Sequence, residues 1–121
     1  MKVIGIVGTR RKNSHETHLP RVEAEFLKLY EPGDKICSGL CPQGADQFAV
    51  IIAAKYKVET IWYPADWRKF GRAAGFIRNM DIANTSHCLI ALVADDRTGG
   101  TEDTIKKFVQ LHGSEHLYII S

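Results

Sequence analysis

The sequence has few cysteines and no long apolar run, and each absence limits the class of protein. Three cysteines, Cys37, Cys41 and Cys88, cannot all pair within one chain, and the spacing of the first two is not that of a zinc or redox pair. This usage is typical of a reduced, cytoplasmic protein. Nowhere do roughly 18 apolar residues follow one another, so we expect neither a signal peptide nor a membrane span.

An excess of one charge sign and internal repeats are also lacking. The 16 Lys and Arg residues against 14 Asp and Glu residues give a formal net charge of +2. So small an excess does not by itself indicate a nucleic-acid partner. The 121 residues, of which 45% are hydrophobic, are enough for one domain over 1–121 with a continuous core.

Short β-branched runs alternate with longer helical segments along the whole chain. Strands are predicted over 2–7, 35–38, 59–63, 88–93 and 117–120. Helices are predicted from Pro20 to the turn at 32–34 and over 45–55, 72–84 and 101–111, with Gly113 as the last C-cap. This alternation predicts an α/β fold, a single Rossmann-like domain with an open five-stranded parallel sheet and helices on both faces. Such sheets bind ligands beyond the carboxyl ends of their strands, where the strand order reverses.

The loop after the fourth strand is rich in glycine. Gly99, Gly100 and Thr101 stand just before the last helix, so that backbone amides, the positive end of the helix dipole and a hydroxyl can face an anion. The competing interpretation is a plain glycine loop in which Thr101 serves only as the N-cap. The neighbouring loops favour an anion site.

The loop after the first strand adds positive charge to the same edge. Gly8 permits a sharp exit from the strand, and Thr9 and Arg10 follow it. The guanidinium of Arg10 can bind phosphate or carboxylate with two parallel hydrogen bonds. Arg11 and Lys12 are interpreted as an exposed loop edge.

The loop over 39–44, after the second strand, resembles a second ligand-binding loop beside the one at 99–101. Ser38 and Gly39 begin it, and Gly44 lets the backbone approach a ligand closely. Asp46 can accept a hydrogen bond from a ribose hydroxyl. Alternatively, Asp46 complements the dipole of its own helix, since acids are common in a first turn.

An aromatic residue follows the third strand. Asp66 and Trp67 are predicted to lie in a loop, where the indole offers a face for a base and the carboxylate offers an acceptor for a hydroxyl. A loop tryptophan that covers its own core is the alternative.

The helix predicted over 72–84 carries two arginines among small residues. The small residues between 71 and 75 allow close approach, while Arg72 and Arg78 supply positive charge and Asn79 lies beside Arg78. The competing interpretation is ordinary core packing with solvated arginines between the apolar positions.

These motifs taken together resemble those of the SLOG superfamily, and of its YspA-like branch in particular. The resemblance covers nearly the whole chain and rests on the order of the motifs after successive strands. The motifs are Gly8-Thr9-Arg10, Ser38-Gly39 with Gly44-Ala45-Asp46, Ala65-Asp66-Trp67, Gly71-Arg72-Ala73-Ala74-Gly75 with Arg78-Asn79, and Gly99-Gly100-Thr101. The resemblance implies a Rossmann-like nucleotide-binding fold. Relatives include Lonely-Guy phosphoribohydrolases, sensors of NAD-derived signals and a domain of DNA-processing protein A.

The resemblance also suggests a reaction and shows a departure from it. Lonely-Guy enzymes carry a Gly-Thr-x-x-Glu signature, whereas Gly100-Thr101 is followed here by Glu102, Asp103 and Thr104, so that a threonine stands in the place of the acid. The resemblance implies that their catalytic arginine corresponds to Arg78. If the chain is an enzyme, the expected reaction is N-glycosidic hydrolysis of a nucleotide, with Arg78 and Glu102 or Asp103 as catalytic residues.

The leading hypothesis is therefore a module that binds a phosphate-bearing nucleotide or nucleotide-derived ligand, with no metal and no cofactor. The second hypothesis is single-stranded nucleic-acid binding, in which Trp67 is a stacking platform beside a basic track. That track comprises Arg10, Arg11, Lys12, Arg68, Lys69 and Arg72. The third hypothesis is a non-catalytic scaffold subunit. Self-association as a homo-oligomer is expected through the apolar segments 45–54 or 73–82.

Overall fold

The computed structural model describes residues 1–41 and 44–121, and these residues form five strands and five α-helices. The strands are β1 (Val3–Gly8), β2 (Lys35–Ser38), β3 (Thr60–Trp62), β4 (Cys88–Leu92) and β5 (Leu117–Ile120). The helices are α1 (Leu19–Leu29), α2 (Ala45–Tyr56), α3 (Trp67–Phe70), α4 (Ala74–Thr85) and α5 (Gly100–His112), and a 3₁₀ turn at Gly71–Ala73 joins α3 to α4. Pro42 and Gln43, within the loop predicted over 39–44, lie outside the described residues.

The five strands form one parallel sheet in the order β3-β2-β1-β4-β5. β1 lies in the middle, with Gly5 paired to Cys37 of β2 on one side and to Leu89 of β4 on the other. The chain moves outward from β1 through β2 to β3 and then returns to β4 on the opposite side of β1. The strand order therefore reverses between β1 and β4, and the predicted Rossmann-like fold is confirmed.

Each face of the sheet packs against one pair of helices. Helices α1 and α2 cover one face, where Phe26 and Phe48 pack on strand residues such as Ile90. Helices α4 and α5 cover the other face, where Phe108 packs in a cluster with Leu89. Leu89 and Ile90 are consecutive in β4 and belong to opposite clusters, because neighbouring side chains of a strand point to opposite faces.

The connection from β3 to α4 differs from the sequence prediction. Trp67 was expected in a loop but is the first residue of α3, because the side chain of Asp66 accepts a hydrogen bond from the Lys69 amide at 3.1 Å and caps that helix. Arg72 was expected to begin the third helix but lies in the 3₁₀ turn, and the regular helix begins at Ala74. The other predicted elements agree with the structure within two residues at each end.

The two segments expected to support self-association differ in exposure. Most apolar residues of 45–54 are buried in the cluster under α2, whereas 73–82 leaves Phe76, Ile77 and Met80 exposed on α4. Self-association stays a prediction, and segment 73–82 is the one of the two that exposes large apolar side chains. Among the described helices, none is long and apolar enough to cross a membrane.

Replacing Phe26 tests the packing of α1 on the sheet. Phe26 is fully buried and stacks on Tyr30 with ring centroids 5.0 Å apart. The variant Phe26→Ala should lower the free energy of unfolding by about 3–5 kcal/mol, because the cavity adds to the lost burial. The matched control Leu27→Ala removes a neighbouring, half-exposed side chain and should cost roughly 0.5 kcal/mol or less. Equal losses in urea denaturation of the two variants would contradict this packing.

Candidate functional site

A cleft of about 260 Å³ opens beyond the carboxyl ends of β1 and β4, at the point where the strand order reverses. It is bounded by the loops after these two strands, by the start of α2, by the inner side of α4 and by the first turn of α5. The lining residues are Val7, Gly8, Thr9, Arg10, Arg11, Cys41, Asp46, Arg78, Asn79, Ile82, Thr98, Gly99, Gly100, Thr101 and Thr104. Parallel α/β sheets bind their ligands at this position.

The N-terminus of α5 forms one wall of the cleft. Gly99 is the N-cap residue, and Gly100 and Thr101 are the first two residues of the helix. A Cβ atom at Gly99 or Gly100 would meet no atom within 4 Å, so the backbone is open on this side. The first N–H groups of a helix have no acceptor within the helix, and the helix dipole adds partial positive charge. This wall is suited to an anion.

Arg11 links the loop after β1 to the loop after β4 at the mouth of the cleft. Its guanidinium donates to the two carboxylate oxygens of Asp96 at 3.0 and 2.9 Å and to the Thr98 hydroxyl at 2.9 Å. Hydrogen bonds from Arg11 and Thr98 hold the pKa of Asp96 well below its ordinary value. Arg11 is exposed, as predicted, but it also lines the cleft. The prediction was wrong for Lys12, whose side chain is largely covered and pairs with Asp95 at 2.8 Å.

Asp46 brings a buried carboxylate to the cleft. The residue is 6% exposed and accepts a hydrogen bond from the Cys41 amide at 3.1 Å. Burial raises the pKa of Asp46, and this amide and the charge of Arg78 offset the rise only in part. The preceding Gly44 has a φ of +75°, and a side chain there would collide with the carbonyl oxygen of Thr9. Gly44 thus lets the start of α2 lie directly against the loop after β1.

Arg78 and Asn79 reach the cleft from α4. The Nε of Arg78 donates to Asn79 Oδ1 at 3.0 Å, and one Nη donates to the carbonyl oxygen of Gly39 at 3.3 Å. Asn79 Nδ2 donates to Gly100 O at 3.3 Å and to Asp103 Oδ2 at 3.0 Å. Within the part of the chain that the structure describes, neither Arg10 nor Arg78 has a carboxylate within 4 Å. The cleft therefore carries two arginines that are not neutralised by an ion pair.

Of the predicted site residues, nine line the cleft. They are Gly8, Thr9, Arg10, Asp46, Arg78, Asn79, Gly99, Gly100 and Thr101. Gly39 and Gly44 lie directly behind this lining, where Gly39 contacts Arg78 and Gly44 contacts Thr9.

The remaining predicted residues have other surroundings. Ser38 is buried and donates to the carbonyl oxygen of Ile6 at 2.6 Å. Asp66 caps α3, and Trp67 and Arg72 are exposed outside the cleft lining. Glu102, the predicted catalytic acid, also lies outside the lining. It accepts two hydrogen bonds from the side chain of Arg97 at 2.8 and 2.9 Å.

Five further lining residues, Val7, Cys41, Ile82, Thr98 and Thr104, were not predicted to bind a ligand. Thr98 directly precedes Gly99 and Gly100, so its position in the sequence could have placed it at the predicted anion site. Thr104 lies one helical turn beyond Gly100, so the predicted helix would have placed it on the same face. Cys41 belongs to the loop predicted over 39–44, and its amide donates to Asp46 at 3.1 Å.

No group of three or more His, Cys, Asp and Glu side chains in 1–41 and 44–121 is arranged to hold a metal ion. Comparison of the chain with protein-family models, with curated proteins and with solved structures gave no match.

The contact between Gly39 and Arg78 can be tested without any ligand. A Cβ atom at Gly39 would lie 2.5 Å from an Nη of Arg78 and 3.0 Å from Asp46 Oδ2. Since the end of a long side chain can move, Gly39→Ala should leave the fold intact and displace the Arg78 guanidinium. We expect faster modification of Arg78 by phenylglyoxal, measured by mass spectrometry, and a small change in melting temperature.

The matched control is Gly75→Ala on α4, where a Cβ atom would make only an ordinary 3.4 Å contact with the Trp67 ring. Alanine in a helix is favoured over glycine by about 1 kcal/mol, so this variant should be as stable as the parent or more so. Its Arg78 should react at the parental rate. An unchanged rate in Gly39→Ala would show that Arg78 does not lie against Gly39.

Proposed function

We propose that the chain binds a phosphate-bearing nucleotide or nucleotide-derived ligand in the cleft between β1 and β4. The phosphate lies at the N-terminus of α5, in front of the amides of residues 99–101. The observation that carries the proposal is the meeting of this open helix terminus with Arg10 and Arg78, which have no carboxylate within 4 Å among the described residues. Helix N-termini are common phosphate sites because their backbone N–H groups and the helix dipole favour an anion.

The charges around the cleft favour a dianion over a neutral ligand. A phosphate monoester carries about −1.5 to −2 charges at pH 7. Asp96 is paired with Arg11, and Asp46 is the acid among the lining residues, so Arg10 and Arg78 together leave this edge with a positive balance. Because guanidinium forms charge-assisted hydrogen bonds with phosphate, Arg10 and Arg78 are the cleft residues suited to a phosphate group.

The remainder of the lining supports a nucleotide rather than inorganic phosphate alone. The buried Asp46 carboxylate, which accepts from the Cys41 amide, lines the cleft and is of the chemical type that accepts a hydrogen bond from a ribose hydroxyl. Val7 and Ile82 supply apolar surface for a sugar or base. A cleft of about 260 Å³ is near the lower limit of small-molecule sites, which suits one mononucleotide unit. Membership of the SLOG superfamily, suggested by the motifs, is part of this proposal.

Hydrolysis of the ligand has weaker support than binding. Glu102 is paired with Arg97, and Asp103 is held by Asn79 and Lys107, so neither carboxylate faces the cleft. We therefore assign the chain as a binding module. If it cleaves an N-glycosidic bond, the acid that supports the sugar cation is Asp46. Release of free base from a nucleoside monophosphate that Glu102→Gln abolishes and Asp46→Asn does not would contradict this assignment.

Single-stranded nucleic-acid binding is the second candidate function, and one surface favours it. Trp67 is 57% exposed and Phe76 is 59% exposed, and Lys107 lies 5.2 Å from the centre of the Phe76 ring. Exposed rings beside cations can stack bases and track a phosphate backbone. Against it, Arg11 and Lys12 of the predicted basic track are engaged with Asp96 and Asp95. If this function is correct, a labelled oligonucleotide should bind in anisotropy assays, and the affinity should fall steeply with salt concentration. Trp67→Ala should abolish the binding.

A panel of ligands tests the leading proposal. Nucleoside monophosphates, cyclic nucleotides, NAD and ADP-ribose are compared in thermal-shift assays with the corresponding unphosphorylated nucleosides, because a ligand that binds the folded state raises its melting temperature. We expect a shift with a phosphorylated member and none with its nucleoside. Arg78→Ala should weaken that binding by about 10- to 100-fold in calorimetry, the range for a charge-assisted hydrogen bond.

The matched control is Arg72→Ala, which removes an exposed arginine outside the cleft lining. It should bind the phosphorylated ligand as the parent does. Equal loss in both variants would indicate a general charge effect. The absence of a melting-temperature shift with every compound of the panel, or full binding by Arg78→Ala, would overturn the proposal.

A further inference from the structure

Asn79 is a buried amide at the junction of the two cationic parts of the cleft. It is 6% exposed, and each of its polar atoms has a described partner. Its Oδ1 accepts from Arg78 Nε at 3.0 Å, and its Nδ2 donates to Gly100 O at 3.3 Å and Asp103 Oδ2 at 3.0 Å. Because both amide hydrogens are engaged, the side chain has no donor left for a ligand.

The chemistry of the three partners fixes the orientation of this amide. Arg78 offers only donors, so it must face the oxygen of Asn79, whereas Gly100 O and the Asp103 carboxylate offer only acceptors and must face the nitrogen. The reverse orientation would oppose donor to donor and acceptor to acceptor. Asn79 can therefore satisfy all three partners in one arrangement only.

This arrangement ties a side chain of α4 to the first turn of α5. Arg78 Nε is held on one side and the carbonyl of Gly100 on the other, so the guanidinium and the helix terminus keep one relative position. Asp103 strengthens the link, because Lys107 Nζ lies 2.5 Å from the same Oδ2 that accepts from Asn79 and also donates to Phe76 O. Helices α4 and α5 are thus joined by polar contacts as well as by the apolar cluster beneath them.

We infer that Asn79 is a positioning residue, which aligns the guanidinium of Arg78 with the N-terminus of α5 so that both address one phosphate. Its role in binding rests on the proposed function, whereas the alignment itself is a property of the ligand-free protein. Preorganised donors bind an anion more tightly than donors that must be ordered on binding. Asn79 therefore contributes to affinity for the phosphate without touching it.

The alignment is measured first in the absence of ligand. In ¹H–¹⁵N NMR spectra of the labelled protein, Asn79→Ala should shift the Arg78 Nε–H signal and the amide signals of Gly100 and Thr101 together. The control Asn84→Ala removes an exposed asparagine from the same helix and should leave these signals unchanged. An Asn79→Ala spectrum in which either the Arg78 signal or the amide signals stay in place would overturn the alignment, whether or not a ligand is known.

Binding is then measured with adenosine 5′-monophosphate and adenosine as a matched pair. Asn79→Ala should weaken binding of the monophosphate about tenfold and leave binding of adenosine unchanged, since the missing hydrogen bonds act on the phosphate end. Equal affinity of the parent and Asn79→Ala for the monophosphate would overturn the positioning role. If the parent itself binds neither this monophosphate nor any other phosphorylated compound of the panel, the proposed function fails, and the ligand-free spectra still decide the alignment.

A swap of the two hydrogen-bonding groups separates a specific contact from general destabilisation. Asn79→Asp brings two carboxylates within hydrogen-bond distance and should weaken monophosphate binding more than Asn79→Ala does. The double variant N79D/D103N restores only the contact between positions 79 and 103, with the introduced amide at position 103 now the donor, and leaves Gly100 O without its donor, so it should recover part of the loss. A double variant that binds no better than Asn79→Asp would show that the contact with Asp103 does not matter.

Discussion

The parallel pairing of β1 with β2 on one side and with β4 on the other determines where a cleft can form. The chain leaves β1 toward β2 and β3, and it returns to β4 on the far side, so the loops after β1 and β4 diverge above neighbouring strand ends. The first turn of α5, the start of α2 and the inner side of α4 all border the cleft at this reversal of the strand order.

Fixed polar contacts hold the walls of the cleft at this reversal. Arg11 and Asp96 link the two diverging loops, while Asn79 links α4 to α5 through Gly100. Asp46 is held at the start of α2 by the Cys41 amide. Arg11 and Lys12 are paired with Asp96 and Asp95, whereas Arg10 and Arg78 have no carboxylate within 4 Å among the described residues. Rigid walls with free cations are what a preorganised anion site requires.

The sequence was sufficient for the fold and for much of the cleft, because both depend on regular periodicity. Alternating strands and helices specify a parallel sheet, and residues directly after a strand must appear at its carboxyl edge, which explains why Gly8, Arg10 and Gly100 were found. Trp67 was misplaced because the local cap by Asp66 begins a helix in a segment with loop composition. Glu102 could not be judged from sequence, since its pairing with Arg97 depends on how the loop after β4 turns.

Amide shift mapping of the ¹⁵N-labelled protein during titration with adenosine 5′-monophosphate locates the phosphate on the protein. We expect the amides of 8–10 and 99–101 to shift first and to saturate together, with a much smaller response at Trp67, Phe70 and Phe76. The largest shifts at those three exposed residues, or equal responses to adenosine and to its monophosphate, would contradict an anion site at the N-terminus of α5.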